Sequence, residues 1–396
     1  MDPVATHPAP TTRVTALPVY VFAWLDELKA AARAKGAALI DLGIGNPDRP
    51  TPAPVVEAIA RGWADPATHG YPPFRGAPRF LNAAAGFMRR RFGVAVDPAR
   101  EILCVSGGKE GLAHLAMAYA DETSVSLVPD IYYPVHGRAT LLAGSRAHWM
   151  PLTAERGFLP DFSAIPASAL AQAKLLLLNY PHNPTGAVAT REFFEEAVGF
   201  AARHGLVLVS DLAYSEITFD GFVAPSVLEI GGARDVAVEV HSCSKSFNMA
   251  GSRIGFVAGN ADVIEALYAV RNNMGYGTPV PVQLGAATAF ERSDEFTRGI
   301  AGTYQARRDV IVAGLRSLGW DLDAPKGTMF VWARVPSGFS SQDWTRHLID
   351  SAGVVVSPGH AFGPGGEGFF RVSLVADEAR LGNAIERLRA AGIRYR

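Results

Sequence analysis

The sequence predicts an α/β protein: a large doubly wound, mostly parallel sheet with a second, smaller α+β lobe. Three observations carry that expectation. Short apolar runs alternate with amphipathic stretches, the pattern of parallel strands joined by crossover helices. The chain has 396 residues, past the ~250–300 at which a single core stops growing, so more than one lobe is required. Its 40 glycines and 27 prolines punctuate these runs, which marks tight connections.

Taken in order, Val21 to Lys35 reads as one helix after Pro18. Buried strands are expected at Ile102 to Val105, Ser124 to Val128, Lys174 to Asn179, Leu206 to Ser210, Ala237 to His241 and Ile254 to Ala258. Between two of them, Phe193, Phe194, Ala197, Val198 and Ala201 recur at helical spacing within Arg191 to His204. These elements assign residues 46–283 to the large lobe. The small lobe takes residues 1–45 and 284–396, with a long helix from Asp294 to Leu318 and strands at Met329 to Ala333, Val354 to Val356 and Phe369 to Leu374. The first 16 residues are expected to form a flexible or partner-gripping arm.

Composition narrows the function. With 48% apolar and 19% charged residues the chain is too hydrophobic for disorder, and no run approaches the ~18 apolar residues of a membrane span. The formal net charge of −1 gives no broad field for nucleic acid or an anionic membrane, so the expected partners are small molecules. Two cysteines, Cys104 and Cys243, cannot build a disulfide framework, and the N-terminus lacks the pattern of a signal peptide. A cytoplasmic location is expected. His182, His241 and His360 lack metal-ligand spacing, so no metal is expected.

The strongest local signal is Ser242-Cys243-Ser244-Lys245, with Arg253 eight positions beyond the lysine, directly after a strand. One lysine among small hydroxyls beside an arginine suits an amine that forms a Schiff base next to a bound phosphate. A solvated lysine in a serine-rich turn is the plain alternative. Asn183, in Asn179-Tyr180-Pro181-His182-Asn183-Pro184-Thr185-Gly186, and Asp211 and Tyr214, in Asp211-Leu212-Ala213-Tyr214, follow two further strands. Carboxyl ends of strands in an open α/β sheet are where ligands bind, so these residues can meet Lys245 there. Each also has a plain structural reading, as a turn, a helix cap or a core tyrosine.

Together these residues resemble the fold-type I, pyridoxal-phosphate-dependent aminotransferases of class I/II, from Asp41-Leu42-Gly43-Ile44-Gly45-Asn46-Pro47-Asp48 to Phe370-Arg371-Val372-Ser373. Within that family the chain is most similar to the LL-diaminopimelate, aspartate and alanine aminotransferase subgroup, on Gly108-Lys109-Glu110-Gly111, Asn179-Tyr180-Pro181 and Ala213-Tyr214-Ser215-Glu216-Ile217. The resemblance implies ping-pong transfer of an amino group between an L-amino acid and a 2-oxo acid. It implies pyridoxal 5′-phosphate on Lys245, which then serves as the proton-transfer base, and Asp211 at the pyridinium nitrogen. Asn183 and Tyr214 would meet the ring oxygen and Tyr133 would stack on the ring. Gly108, Ser242, Ser244 and Arg253 would hold the phosphate, with Lys109 either contacting it or facing solvent, joined by Tyr71 from the other subunit of a homodimer with shared active sites. Arg371, aided by Gly45 and Asn183, would grip the substrate α-carboxylate.

Two departures bear on the substrate. Arg75 stands where diaminopimelate-type members tend to show a glutamate, so it either favours a second carboxylate or is a surface arginine. Residues 272–279 depart from the family's usual sequence near the partner's pocket. A β-eliminating lyase using the same cofactor is the first rival. A cofactor-sensing DNA-binding regulator is a distant one, because only about 40 residues precede Gly43, too few for a further domain.

Overall fold

The computed structural model describes residues 8–18 and 21–395. Among the described residues there are twelve strands, in chain order β1 (Ile40–Asp41), β2 (Ile102–Val105), β3 (Val125–Pro129), β4 (Arg146–Met150), β5 (Ala173–Asn179), β6 (Val207–Asp211), β7 (Ala237–Ser242), β8 (Gly255–Gly259), β9 (Phe330–Arg334), β10 (Val354–Val355), β11 (Ser357–Pro358) and β12 (Phe369–Ser373). The main sheet runs β2-β8-β7-β6-β5-β3-β4. Only β8 is antiparallel to its neighbours β2 and β7, so the sheet is mostly parallel, as the alternating pattern predicts.

Both faces of this sheet are buried. Along β5, Leu176 and Leu178 enter one apolar cluster while Leu175 and Leu177 enter another, the period-two alternation of a strand covered on both sides. That is why β5 reads as an unbroken apolar run. β4 escaped the sequence reading for the opposite reason: Arg-Ala-His-Trp-Met is an edge strand, exposed or half-buried over four of its five positions.

A third cluster joins Ile40 and Leu42 to residues from Tyr304 to Ile393. It contains the antiparallel sheet β11-β12-β9 and the parallel pair β1-β10. The Asp48 carboxylate meets both terminal nitrogens of fully buried Arg307 at 2.7 and 2.8 Å. Arg307 belongs to the long helix Ser293–Ser317, so a charge-assisted fork pins the Gly45-Asn46-Pro47-Asp48 segment to that helix.

The expected N-terminal arm lies partly outside the described residues, which begin at 8. Within it, Thr12–Thr15 forms a short helix, and Arg13 pairs with Glu122 of the same chain.

Candidate active site

Strand register explains why distant residues meet. Asn179 pairs with Asp211, and Asp211 with Val240. Gly255 pairs with Val105 on one side and Ser242 on the other. The carboxyl ends of β2, β5, β6 and β7 therefore end along one edge, and the loops leaving them share one space. A cavity of about 600 Å³ opens there, lined by Gly45, Gly108, Lys109, Tyr133, Asn183, Asp211, Tyr214, Ser242, Ser244, Lys245, Arg253 and Arg371.

Lys245 lies in a single helical turn, Cys243–Ser246, begun by the Ser242 hydroxyl, which accepts the Ser244 N–H at 3.2 Å. Its Nζ donates to the Gly45 carbonyl at 2.6 Å. Burial, reinforced by the positive Arg371 and Arg253, lowers its pKa to about 8. The amine is thus much easier to deprotonate than a free lysine. A side chain on Gly45 would strike Phe330, whose Cε1 lies 2.5 Å from where the Cβ would stand.

The anion cradle is built by β2 and the helix Gly108–Tyr119. Gly107 adopts φ +91°, and a Cβ there would lie 2.7 Å from Arg253 Nη2. Glycine alone lets the backbone and the guanidinium approach. Arg253 itself sits at φ +50°, a left-handed conformation costing ~1 kcal/mol in a non-glycine residue. That geometry aims an exposed guanidinium at a helix N-terminus, which already favours anions.

Arg371 is buried between two aromatic faces, its Cζ 4.0 Å from the Phe330 centroid and 4.5 Å from that of Phe362. It donates to Asn183 Oδ1 and to the Gly43 carbonyl, both at 2.9 Å. Its Nε has no partner, and no carboxylate pairs with it among the described residues. Burial draws its pKa down to about 10, so it remains a cation at neutral pH. An ion held in this way costs several kcal/mol until an anion arrives.

Asn183 is oriented by neighbours on both sides. Its backbone N–H donates to Asn179 Oδ1 at 3.0 Å, and its Nδ2 approaches the Tyr214 hydroxyl at 3.4 Å. Asn179 Nδ2 in turn donates to the Asp211 carbonyl at 2.7 Å. Burial raises the Tyr214 pKa far above its usual value, so its hydroxyl stays protonated and can donate.

The structure brings together every residue singled out for this site except Tyr71. Tyr71 is 80% exposed and stacks on Tyr276 at 4.2 Å between centroids. Arg75 also lies outside the cavity, paired with Glu265 and stacked 4.5 Å over Tyr268. Sequence reasoning missed His136, whose Nε2 lies 3.1 Å from Asp211 Oδ2 with both groups buried. It also missed Phe330 and Phe362 around Arg371, and Phe22 and Asp26 at the cavity rim. His182 is structural: its ring contacts Thr185 Oγ1 and the Ile131 carbonyl, and burial lowers its pKa to about 3.

Comparison with known proteins gives one answer. Residues 37–388 match the family model for aminotransferase class I and II. The LL-diaminopimelate aminotransferase of Moorella thermoacetica is 45% identical over 377 residues, covering 95% of this chain and 97% of that protein. That of Gloeobacter violaceus is 45% identical over 385 residues, covering 97% and 98%. Among solved structures, substrate-bound BacF from Bacillus subtilis superposes with a TM-score of 0.94 at 36% identity, covering 98% and 99%. A single mutant of Thermus thermophilus aspartate aminotransferase gives 0.90 at 29% identity, covering 97% and 100%. With a depressed lysine, a buried carboxylate and an arginine that has no carboxylate partner among the described residues in one cavity, the chain belongs to the class I and II aminotransferases.

Proposed function

We propose that this cavity binds pyridoxal 5′-phosphate on Lys245 and moves an amino group between an L-amino acid and a 2-oxo acid by ping-pong chemistry. The observation that carries the reading is buried Arg371, lacking a carboxylate partner, in the same cavity as the Lys245 amine. The donor set fits the cofactor. A side-chain-free turn at Gly107 and Gly108 meets Arg253 where a phosphate belongs, and Asp211 offers a buried carboxylate to a protonated ring nitrogen.

When bound, pyridoxal phosphate supplies the electron sink that makes the substrate α-carbon acidic. The chain's residues do the rest. Arg371 binds the α-carboxylate shared by amino acid and 2-oxo acid, its planar fork fixing the α-carbon's orientation. Lys245 Nζ would take the substrate α-proton, a task that suits a lysine poised near neutrality. Asp211, held by His136, would keep a proton on the ring nitrogen. Asn183 and Tyr214 would donate to the ring oxygen, and Tyr133 would cover one ring face. Ser242, Ser244, Arg253 and the N-terminal N–H groups of the helix Gly108–Tyr119 hold the phosphate. Lys109, exposed at the same end, adds positive charge.

The names of the two curated relatives support a diaminopimelate-type amino donor ahead of aspartate or glutamate. Tyr71, Phe74, Met274 and Tyr276 are exposed, which supports a homodimer in which Tyr71 and residues 272–279 reach the other subunit's site. The buried free thiols Cys104 and Cys243 suit a reducing cytoplasm. The test follows the amino group: with a labelled amino donor and a 2-oxo acid, the label should appear in the new amino acid. Ammonia release with loss of a β-substituent would favour a lyase.

A further inference from the structure

We propose that Asp26 reads the far end of the amino donor and selects α-amino acids bearing a second, cationic group. The inference rests on the amino-transfer reading above and names the substrate class of the same site. Of the charged side chains lining the cavity, Arg371, Lys245, Asp211 and Arg253 already have tasks. Lys109 belongs to the phosphate end, its Nζ 5.7 Å from the Tyr133 centroid. Asp26 alone enters from the helix Val21–Ala34.

Its position follows from helix geometry. Phe22 and Asp26 are four residues apart, so they share a helix face about 5–6 Å from each other. The Phe22 ring packs edge-on against Phe362 at 6.3 Å, and Phe362 caps the Arg371 guanidinium. Asp26 therefore lines the same cavity as Arg371, one helical turn beyond the Phe22 ring that packs on Phe362.

Local charge gives it a sign. Buried Lys29 is shared by Asp26 at 2.6 Å and Asp41 at 3.0 Å, so two carboxylates face one ammonium. Asp41 is turned inward and accepts the Gly43 N–H at 3.0 Å. The Asp26 side chain is 62% exposed against 30% for Asp41. Asp26, Asp41 and Lys29 together keep one negative charge in excess, and Asp26 is the member of the trio that lines the cavity, so the excess favours a distal ammonium there.

The experiment uses holoenzyme, 2-oxoglutarate as acceptor and two matched donor pairs: lysine against norleucine, and LL-2,6-diaminopimelate against L-2-aminopimelate. In each pair only the distal ammonium differs. The wild type should favour the ammonium-bearing donor in kcat/KM. Asp26→Asn should cut that preference about fivefold, chiefly through KM, the size expected of a partly exposed ion pair. Asp26→Glu should keep most of it. Independently of any variant, raising salt from 0.05 to 0.5 M should shrink the wild-type preference, since exposed charges are screened. No wild-type preference, a salt-independent preference, or an Asp26→Asn ratio within about twofold of wild type would each overturn the proposal. Wild-type holoenzyme inert toward every donor would overturn the amino-transfer reading itself, and this proposal with it.

Discussion

His136 Nε2 lies 3.1 Å from Asp211 Oδ2, and the side chains are 2% and 5% exposed. A buried carboxylate without a donor is costly, so the histidine fixes where the Asp211 charge sits. His136 is a positioning residue that acts through Asp211. His136→Leu should lower kcat about tenfold, the worth of a hydrogen bond to a charged group, and should shift the bound cofactor's absorbance. His136→Asn, which keeps a donor, should recover most of both. Asp211→Asn should cost far more, at least about a hundredfold, because a neutral amide cannot hold the ring proton. A normal spectrum and kcat in His136→Leu would separate His136 from the chemistry.

In the proposed reading, Arg371 binds the α-carboxylate common to donor and acceptor. Arg371→Lys keeps the charge but loses the fork, so KM for amino acid and 2-oxo acid should rise together, by about tenfold or more. An increase for one substrate only would move the α-carboxylate elsewhere.

Lys245 sets a pH dependence. The neutral amine is the reactive form, so lowering the lysine pKa to about 8 raises its fraction to ~10% at pH 7, against well under 1% for an ordinary lysine. Cofactor loading of the apoprotein should therefore speed up as pH rises, with a midpoint near 8 that moves upward in Arg371→Met, where a repelling cation is gone. A midpoint above ~10 would show that burial does not tune this amine.

Tyr71 tests assembly. If it serves the other subunit, mixing a Lys245→Ala protein with an impaired Tyr71→Phe protein under subunit exchange should restore activity, because one site per heterodimer is intact. Proven exchange without recovery would assign Tyr71 to its own subunit.

Much of this site was legible because its residues terminate strands that announce themselves. The runs leading to Asn179 and Asp211 are apolar, the one leading to Ser242 alternates apolar residues with buried Glu239 and His241, and register carries all three ends to one edge. His136 was not legible: 75 residues separate it from Asp211, and no spacing links the two. Phe330 and Phe362 look like ordinary core residues until Arg371 is found between them. For Arg75, the sequence left a second carboxylate or a surface role open. The structure places it outside its own chain's cavity, against Glu265 and Tyr268, a pairing invisible without the fold.

The central claim is that Lys245 carries the cofactor in an aminotransferase site. The most direct measurement is borohydride reduction of the holoenzyme followed by peptide mapping. The expected result is a single stable pyridoxyl label, on Lys245, lost when the enzyme is first treated with excess amino donor. A label on another lysine, or on Lys245 but indifferent to amino donor, would contradict it.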